Sequence, residues 1–320
     1  MDWKTKGLSW EAEEAVLRET EPASRRETQM ITRRKFLTTL GTMALGTAAL
    51  GAGGLTYATH IEPFWLDVMH ISLELPHLDP VFAGFRLAQI SDIHLSEALT
   101  IEDLSEAFSH VLDAKTDLIA LTGDYVEDRH TLRQYRDSFS AALRMLSEQA
   151  PVTAILGNHD YYVGLNTTRK ILLDGGVQLL ENDVLSVTRG NARLHIAGLD
   201  DVVQGEPRLR DVVSQIPEGE AAVLLAHEPD YAVISARTGR FDLQISGHSH
   251  GGQVVLPLVG APMLPHLGKK YPSGLYQVGR MLQYTNRGLG TTSPHVRFHC
   301  RPEVTIITLQ PGAGQEARRK

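Results

Sequence analysis

Five short stretches hold most of the candidate chemistry in this 320-residue chain. They are Asp92-Ile93-His94, Gly123-Asp124, Gly157-Asn158-His159-Asp160, His227 and Gly247-His248-Ser249-His250. Each follows an apolar, strand-like run. Together they offer carboxylate, amide and imidazole donors in numbers that suit two neighbouring divalent cations, an arrangement used against phosphate esters. Singly, an Asp-x-His or a Gly-Asp is an ordinary polar turn after a buried strand. The series makes a site.

The spacing within each stretch assigns chemistry. Asp92 and His94 are two apart, so on an extended backbone their side chains share a face. Gly123 permits close backbone approach before Asp124, and a carboxylate with two oxygens can bridge two cations. Asn158 offers a neutral carbonyl oxygen. His159 is expected to project towards substrate, with Asp160 orienting its imidazole and raising its basicity. His248 and His250 repeat the two-residue spacing, with Gly247, Gly251 and Gly252 leaving room. Imidazole and carboxylate without thiolate suit manganese, iron or zinc. Two such cations would lower the pKa of a shared water enough to supply hydroxide near neutral pH. His159 would protonate the leaving oxygen or stabilise phosphoryl charge. Arg287 and Arg297 are candidates for gripping phosphate, since a guanidinium matches paired oxygens. The bland reading of both is a structural or surface arginine.

The order of the motifs resembles that of the calcineurin-like metallophosphoesterase superfamily, from about Arg86 to Val304. Thr285-Asn286-Arg287-Gly288-Leu289-Gly290 and Cys300-Arg301-Pro302-Glu303-Val304 resemble its exported bacterial branch, which includes UDP-2,3-diacylglucosamine-hydrolase-like enzymes. The resemblance implies an α/β fold, two packed mixed β-sheets flanked by helices in a four-layer sandwich. It implies that Asp92, His94, Asp124 and His250 hold a first cation and Asp124, Asn158, His227 and His248 a second. The reaction implied is hydrolysis of a phosphodiester or pyrophosphate bond. The alternatives are a non-hydrolytic scaffold of the same fold, a phosphomonoesterase or a protein phosphatase. Scaffolds of this kind usually lack the His of the Asn-His motif, and this chain keeps His159.

The elements that must position these residues read as α/β. Ile71–Leu75 alternates like an edge strand. Arg86–Ile90, Asp117–Thr122, Val152–Leu156, Ala221–Ala226 and Phe241–Ser246 are strands running into the motifs. Helices are expected over 101–114, with Thr100 as N-cap and Asp103 three residues on, over 131–148, and near 167–173. Short strands fall around Val177, Val184 and Leu194, and 253–308 is rich in strands and turns.

With 42% hydrophobic residues the chain can bury a large core, and its formal charge of −7 disfavours a nucleic-acid partner. The single cysteine, Cys300, excludes an internal disulfide and reads as a buried, inert thiol. Residues 1–29 read as disordered or as a non-native extension, with Met30 the expected start. Residues 30–58 contain Thr32-Arg33-Arg34-Lys35-Phe36-Leu37 before a modestly apolar run, which resembles a twin-arginine export signal. The rival is a plain N-terminal membrane anchor, weakened by five glycines. Residues 70–310 form the catalytic domain and 311–320 a polar tail. The expected partners are the twin-arginine export machinery, the membrane through the N-terminal segment, and a phosphate ester, lipid-linked or from the envelope. The expected location is the periplasm or the outer face of the cytoplasmic membrane.

Overall fold

The computed structural model describes residues 51–312 together with Arg34 and Thr38. The 1–29 stretch, most of the 30–58 segment expected to be an export signal or anchor, and residues 313–320 of the tail lie outside the described residues. Among those described, no helix is long and apolar enough to cross a membrane. The chain divides after Gly53, and both sheets lie in the unit that begins at Gly54.

Among the described residues twelve strands form two six-stranded sheets. The first contains β1 (Asp67–Leu75), β2 (Phe85–Ile90), β3 (Leu118–Thr122), β4 (Val152–Ile155), β5 (Gln178–Leu179) and β12 (Glu303–Pro311), in the order β1-β12-β2-β3-β4-β5. The second contains β6 (Asp183–Arg189), β7 (Ala192–Gly198), β8 (Ala221–Leu225), β9 (Leu243–Ser246), β10 (Gly274–Val278) and β11 (Met281–Thr285), in the order β10-β11-β9-β8-β7-β6. β1, expected as an edge strand, is one, and it starts at Asp67, ahead of Ile71.

Alternation along the strands builds the layers. In β8, Ala221, Val223 and Leu225 face a core shared with Leu87, Ala120 and Ile307 of the first sheet. Ala222 and Leu224 point the other way, into a core with Val212, Ile216 and Tyr231. β3 divides likewise, with Leu118 and Ala120 inward, and Ile119 and Leu121 against Phe108, Leu132 and Leu143. Strands apolar on both faces need cover on both faces. Helices α1 (Ile101–Asp113), α2 (Arg129–Ser147) and α3 (Asn158–Asp174) cover the first sheet, while α4 (Leu209–Ser214) and α5 (Ala232–Ser235) cover the second. The expected four-layer sandwich is what the chain forms.

The helix starts follow capping chemistry. Thr100 accepts from Asp103 N and Asp103 returns the bond, as the sequence predicts. Asp128 caps α2 through His130 N and Thr131 N, so that helix starts two residues before Thr131. α3 differs most. It starts at Asn158, far ahead of the expected Thr167, and carries the third motif in its first turn.

The topology sets one working edge. β2, β3 and β4 run parallel, as do β7, β8 and β9. Their carboxyl ends therefore open on the same side, where α/β sheets place ligands. All five motifs leave from those ends.

Candidate metal centre

The loops after the strands are tied to one another before any side chain acts. Asp92 N donates to Gly123 O at 3.0 Å and His94 N to Asp124 O at 3.1 Å. Gly247 N donates to His227 O at 3.1 Å, and His248 N reaches across the sandwich to the Asp92 carboxylate at 2.9 and 3.0 Å. A β-carbon at Gly247 would collide with Asp92 Oδ2, and one at Gly157 with Asp124 Oδ1, so glycine is the residue that lets these loops meet.

Asp92, His94, Asp124, His248 and His250 all have positive φ, between 41° and 67°. This corrects the extended-backbone argument. Asp92 and His94 converge because each is itself left-handed, on either side of Ile93, and strand alternation plays no part. Left-handed conformations cost a non-glycine residue of order 1–3 kcal/mol and persist only where surrounding bonds enforce them.

The side chains gather in overlapping groups. Asp92, His94 and His250 form one, Asp124, His227 and His248 a second, and His94, Glu127 and His159 a third, with ligand atoms in each group within 4.8 Å. Asn158 joins the second group, its Oδ1 standing 3.0 Å from His248 Nδ1. His248 and His250 thus divide between two groups, despite their shared spacing.

Hydrogen bonds fix the imidazoles from behind. His227 Nδ1 lies 2.7 Å from Thr122 O, and His94 Nδ1 lies 2.6 Å from Glu127 Oε2. With Nδ1–H as the donor in each, Nε2 presents a lone pair to the site. Both Nε2 atoms are buried without a hydrogen-bond partner. Both face Asp124 Oδ2, at 3.1 Å from His227 and 3.5 Å from His94. His248 donates Nε2–H to His266 O at 2.7 Å, which leaves its Nδ1 lone pair facing the Asn158 oxygen. Acceptor meets acceptor three times, and a cation between them resolves each conflict. The residues fit two divalent ions.

The electrostatics carry the same demand. Burial opposes charge on Asp124, but the neighbouring His227 and His94 hold its carboxyl well below the ordinary carboxylate range. Burial also opposes charge on His94, and the neighbouring carboxylates of Asp124 and Glu127 overcome it, lifting the imidazole to about 10. His227 rises for the same reason, through Asp124. Burial, reinforced by the charge of His227, pushes His248 down to about 4, and burial with His94 lowers His250. A buried carboxylate that draws positive charge onto two imidazoles, beside two neutral ones, is suited to cations.

His159 stands apart. Its ring lines a cavity of about 360 Å³ with Asn158, His248, His250, Gln253, Met263 and Thr292. It packs edge-on against His94, ring centres 4.6 Å apart, and its ring nitrogens make no hydrogen bond among the described residues. Its backbone N–H donates to Asp124 Oδ1 at 2.8 Å.

Three sequence expectations need correction. Asp160 does not orient His159. It is the third residue of α3, and its carboxylate turns back to accept from Gly157 N at 2.8 Å, Asp124 N at 3.0 Å and Tyr125 N at 3.1 Å. Burial and the charge of Asp124 push it up to about 7. It holds the second and third motif loops together through their amides. Arg297, expected to grip phosphate, is fully buried and donates to the carbonyls of Arg287, Gly288, Gly290 and Cys300. Arg287 pairs with Glu303 and with Asp67 at 2.9 Å. Neither arginine lines the cavity. Both brace the loop whose Leu289 N and Gly290 N donate to Ser91 O and Asp92 O at 3.0 and 2.8 Å.

Glu127 is the residue that sequence reasoning missed. Leu95 and Val126 form an isolated parallel bridge, which sets Glu127 beside His94. The available signal was an acid three residues past Asp124 in the same strand-end loop. Cys300 is the buried thiol expected, its Sγ–H donating to His250 O at 3.1 Å.

Such a donor set, at the carboxyl edge of a two-sheet α/β sandwich, defines a metallophosphoesterase. The chain belongs to the calcineurin-like phosphoesterase family, whose model matches residues 85–252. It is 35% identical over 284 residues to the uncharacterized metallophosphoesterase YkuE of Bacillus subtilis, covering 88% of this chain and 98% of that protein. It is 34% identical to phosphodiesterase YaeI of Escherichia coli, covering 88% of this chain and all of that protein. The UDP-2,3-diacylglucosamine pyrophosphatase LpxG of Chlamydia muridarum is 26% identical, over 82% of this chain and 95% of that protein.

Proposed function

We propose that the chain hydrolyses a phosphodiester or pyrophosphate bond of a lipid-linked substrate, using two divalent cations of manganese, iron or zinc. The observation that carries this is Asp124 Oδ2 standing between the unpartnered Nε2 atoms of His94 and His227, with neutral His248 and His250 beside them. In this reading Asp92, His94, Asp124 and His250 hold one cation, and Asp124, Asn158, His227 and His248 the other. When bound, the pair supplies Lewis acidity and an activated water at neutral pH. The chain's own residues do the rest. Glu127 and the Thr122 carbonyl fix which nitrogens of His94 and His227 face the site. Asp160 and the Gly123 and Gly157 turns hold Asp124. His159, free at both ring nitrogens, is the group placed to give a proton to the leaving oxygen. That feature favours an enzyme over a scaffold. The names of YaeI and LpxG favour a diester or pyrophosphate, and LpxG a lipid-linked one.

The test is hydrolysis by full-length, metal-loaded protein of bis-p-nitrophenyl phosphate, nucleotide diphosphates and UDP-linked lipid precursors side by side. Cleavage of the diester and of a pyrophosphate-linked lipid, abolished by chelation, is expected. Absence of all cleavage with each of the three metals bound overturns the reading. We further propose export by the twin-arginine route, on the strength of Thr32–Leu37 in the sequence. Arg33→Lys with Arg34→Lys is expected to strand folded protein in the cytoplasm, and normal export of that variant overturns it.

A further inference from the structure

One wall of the cavity belongs to an apolar, exposed loop. Between Gln253 and His266 it reads Val-Val-Leu-Pro-Leu-Val-Gly-Ala-Pro-Met-Leu-Pro, without one charged side chain. Leu256 and Gly260 exchange backbone hydrogen bonds, both at 2.9 Å, closing a tight turn. Leu258 occupies its tip at 108% relative exposure, with Val259 at 72% and Met263 at 73% beside it. Leu258 also has a φ of 66°. A turn built for water would place Gly or Asn there, since either adopts that conformation more readily and neither wastes apolar surface. This turn carries a strained, wholly exposed leucine.

Charge marks the same region. From Leu243 to Pro302 there is no Asp or Glu, against Lys269, Lys270, Arg280, Arg287, Arg297 and Arg301, in a chain of net charge −7. Arg287 and Arg297 are spent internally, whereas Lys269 and Lys270, just past the loop, are exposed. The loop base is joined to the N-terminal side of the unit. Phe298 exchanges backbone bonds with Gln253 and Val255 at 2.9 and 2.8 Å, and its ring packs on Tyr57 with centres 6.3 Å apart. Tyr57 lies near the end of the apolar run that begins at Phe36 in the sequence.

We infer that the loop 254–265 is a membrane-docking element that dips into an anionic phospholipid bilayer, with Lys269 and Lys270 on the headgroups, and so opens the cavity onto the lipid surface. Exposed apolar tips flanked by cations bind bilayers through buried area and attraction to anionic lipid together. The far end of the same loop forms the cavity wall through Met263, Leu264 and Pro265 and receives the His248 Nε2–H bond at His266 O. A substrate with its acyl chains in the bilayer would thus present its phosphate beside the metal ligands without leaving the membrane. This deepens the lipid-linked reading proposed above and rests on it for the substrate, not for the docking.

The test uses the full chain carrying Leu258→Cys labelled with the environment-sensitive fluorophore NBD, buried Cys300 being out of reach of the label. The protein is reconstituted with vesicles of phosphatidylcholine and phosphatidylglycerol. The probe at position 258 is expected to shift to the blue and to be quenched by nitroxide-labelled acyl chains. A probe introduced through Met145→Cys, exposed on α2, is expected to do neither. Adding Lys269→Glu and Lys270→Glu to the Leu258→Cys chain is expected to reduce the quenching. A position-258 probe that stays in water while the protein is vesicle-bound overturns the proposal. So does a blue shift that appears without vesicles and grows with protein concentration, which would assign the loop to a second copy of the chain. Bis-p-nitrophenyl phosphate hydrolysis in the same samples separates the two proposals, since its loss would indict the metal site and its presence beside an unquenched probe would indict the docking alone.

Discussion

The floor and the rim of the cavity break the same backbone rule for opposite reasons. On the floor, Asp92, His94, Asp124, His248 and His250 take left-handed conformations, and hydrogen bonds from behind hold the imidazoles while His94 Nε2, His227 Nε2 and His250 Nδ1 stay unpartnered. On the rim, Leu258 takes a left-handed conformation with nothing around it. The floor's strain is held by cross-sandwich hydrogen bonds and aims donors inward. The rim's strain is held by one turn and aims carbon outward. Strain on the floor is therefore held from many directions, and on the rim by a single turn.

The comparison is broken most severely through Asp124→Asn. An amide cannot balance the charge of two cations, so elemental analysis is expected to show both ions lost together and hydrolysis abolished. Retention of one ion at normal affinity would show that the two groups are independent. His159→Ala comes next, with a loss of roughly 10²–10⁴ in turnover while both ions stay bound, as befits a proton donor outside the ligand set. Metal loss in that variant would make His159 a ligand. Arg297→Ala tests the support beneath the floor. It strips four carbonyls of a buried donor, and a drop of at least about 3 kcal/mol in denaturant unfolding is expected. A folded variant of native stability with impaired substrate binding would restore the phosphate role. Glu127→Gln frees the back of His94. A loss of roughly 10–100-fold in affinity at that cation is expected, with the other site's affinity kept, read by competition with a metal chelator. The smallest effect belongs to the rim. Leu258→Asn relieves the strained tip and is expected to raise unfolding stability by about 1 kcal/mol, measured by thermal melting. A destabilised variant would mean that Leu258 packs where the structure leaves it free.

Much of this was legible in the sequence. Apolar runs such as Leu118–Thr122 and Ala221–Leu225 announce strands, and a motif at each carboxyl end announces the working edge. Thr100 with Asp103 announces a helix start. The start of α3 was not legible, because Asn158 to Tyr162 carries no helical apolar period and its capping acid, Asp160, doubles as a motif residue. The left-handed turns were hidden for a plainer reason. Glycine is the usual signal for positive φ, and Asp92, His94 and Asp124 adopt it through bonds made by residues far along the chain. Glu127 and Arg297 were missed and misassigned on similar grounds. A side chain three residues from a motif is near it in every conformation, and only the fold decides whether it faces inward.

β12 lies between β1 and β2, parallel to one and antiparallel to the other. Among the described residues β1 has no other strand neighbour. During vectorial synthesis, then, nearly two hundred and thirty residues separate β1 from the strand that secures it, and β2 waits with one edge bare. The first sheet, and with it the anchorage of the Asp92 loop beneath Leu289 and Gly290, closes only when residues 303–311 have left the ribosome. A bare edge strand is sticky. The last strand to be made is therefore the one that covers the bare edge of β2.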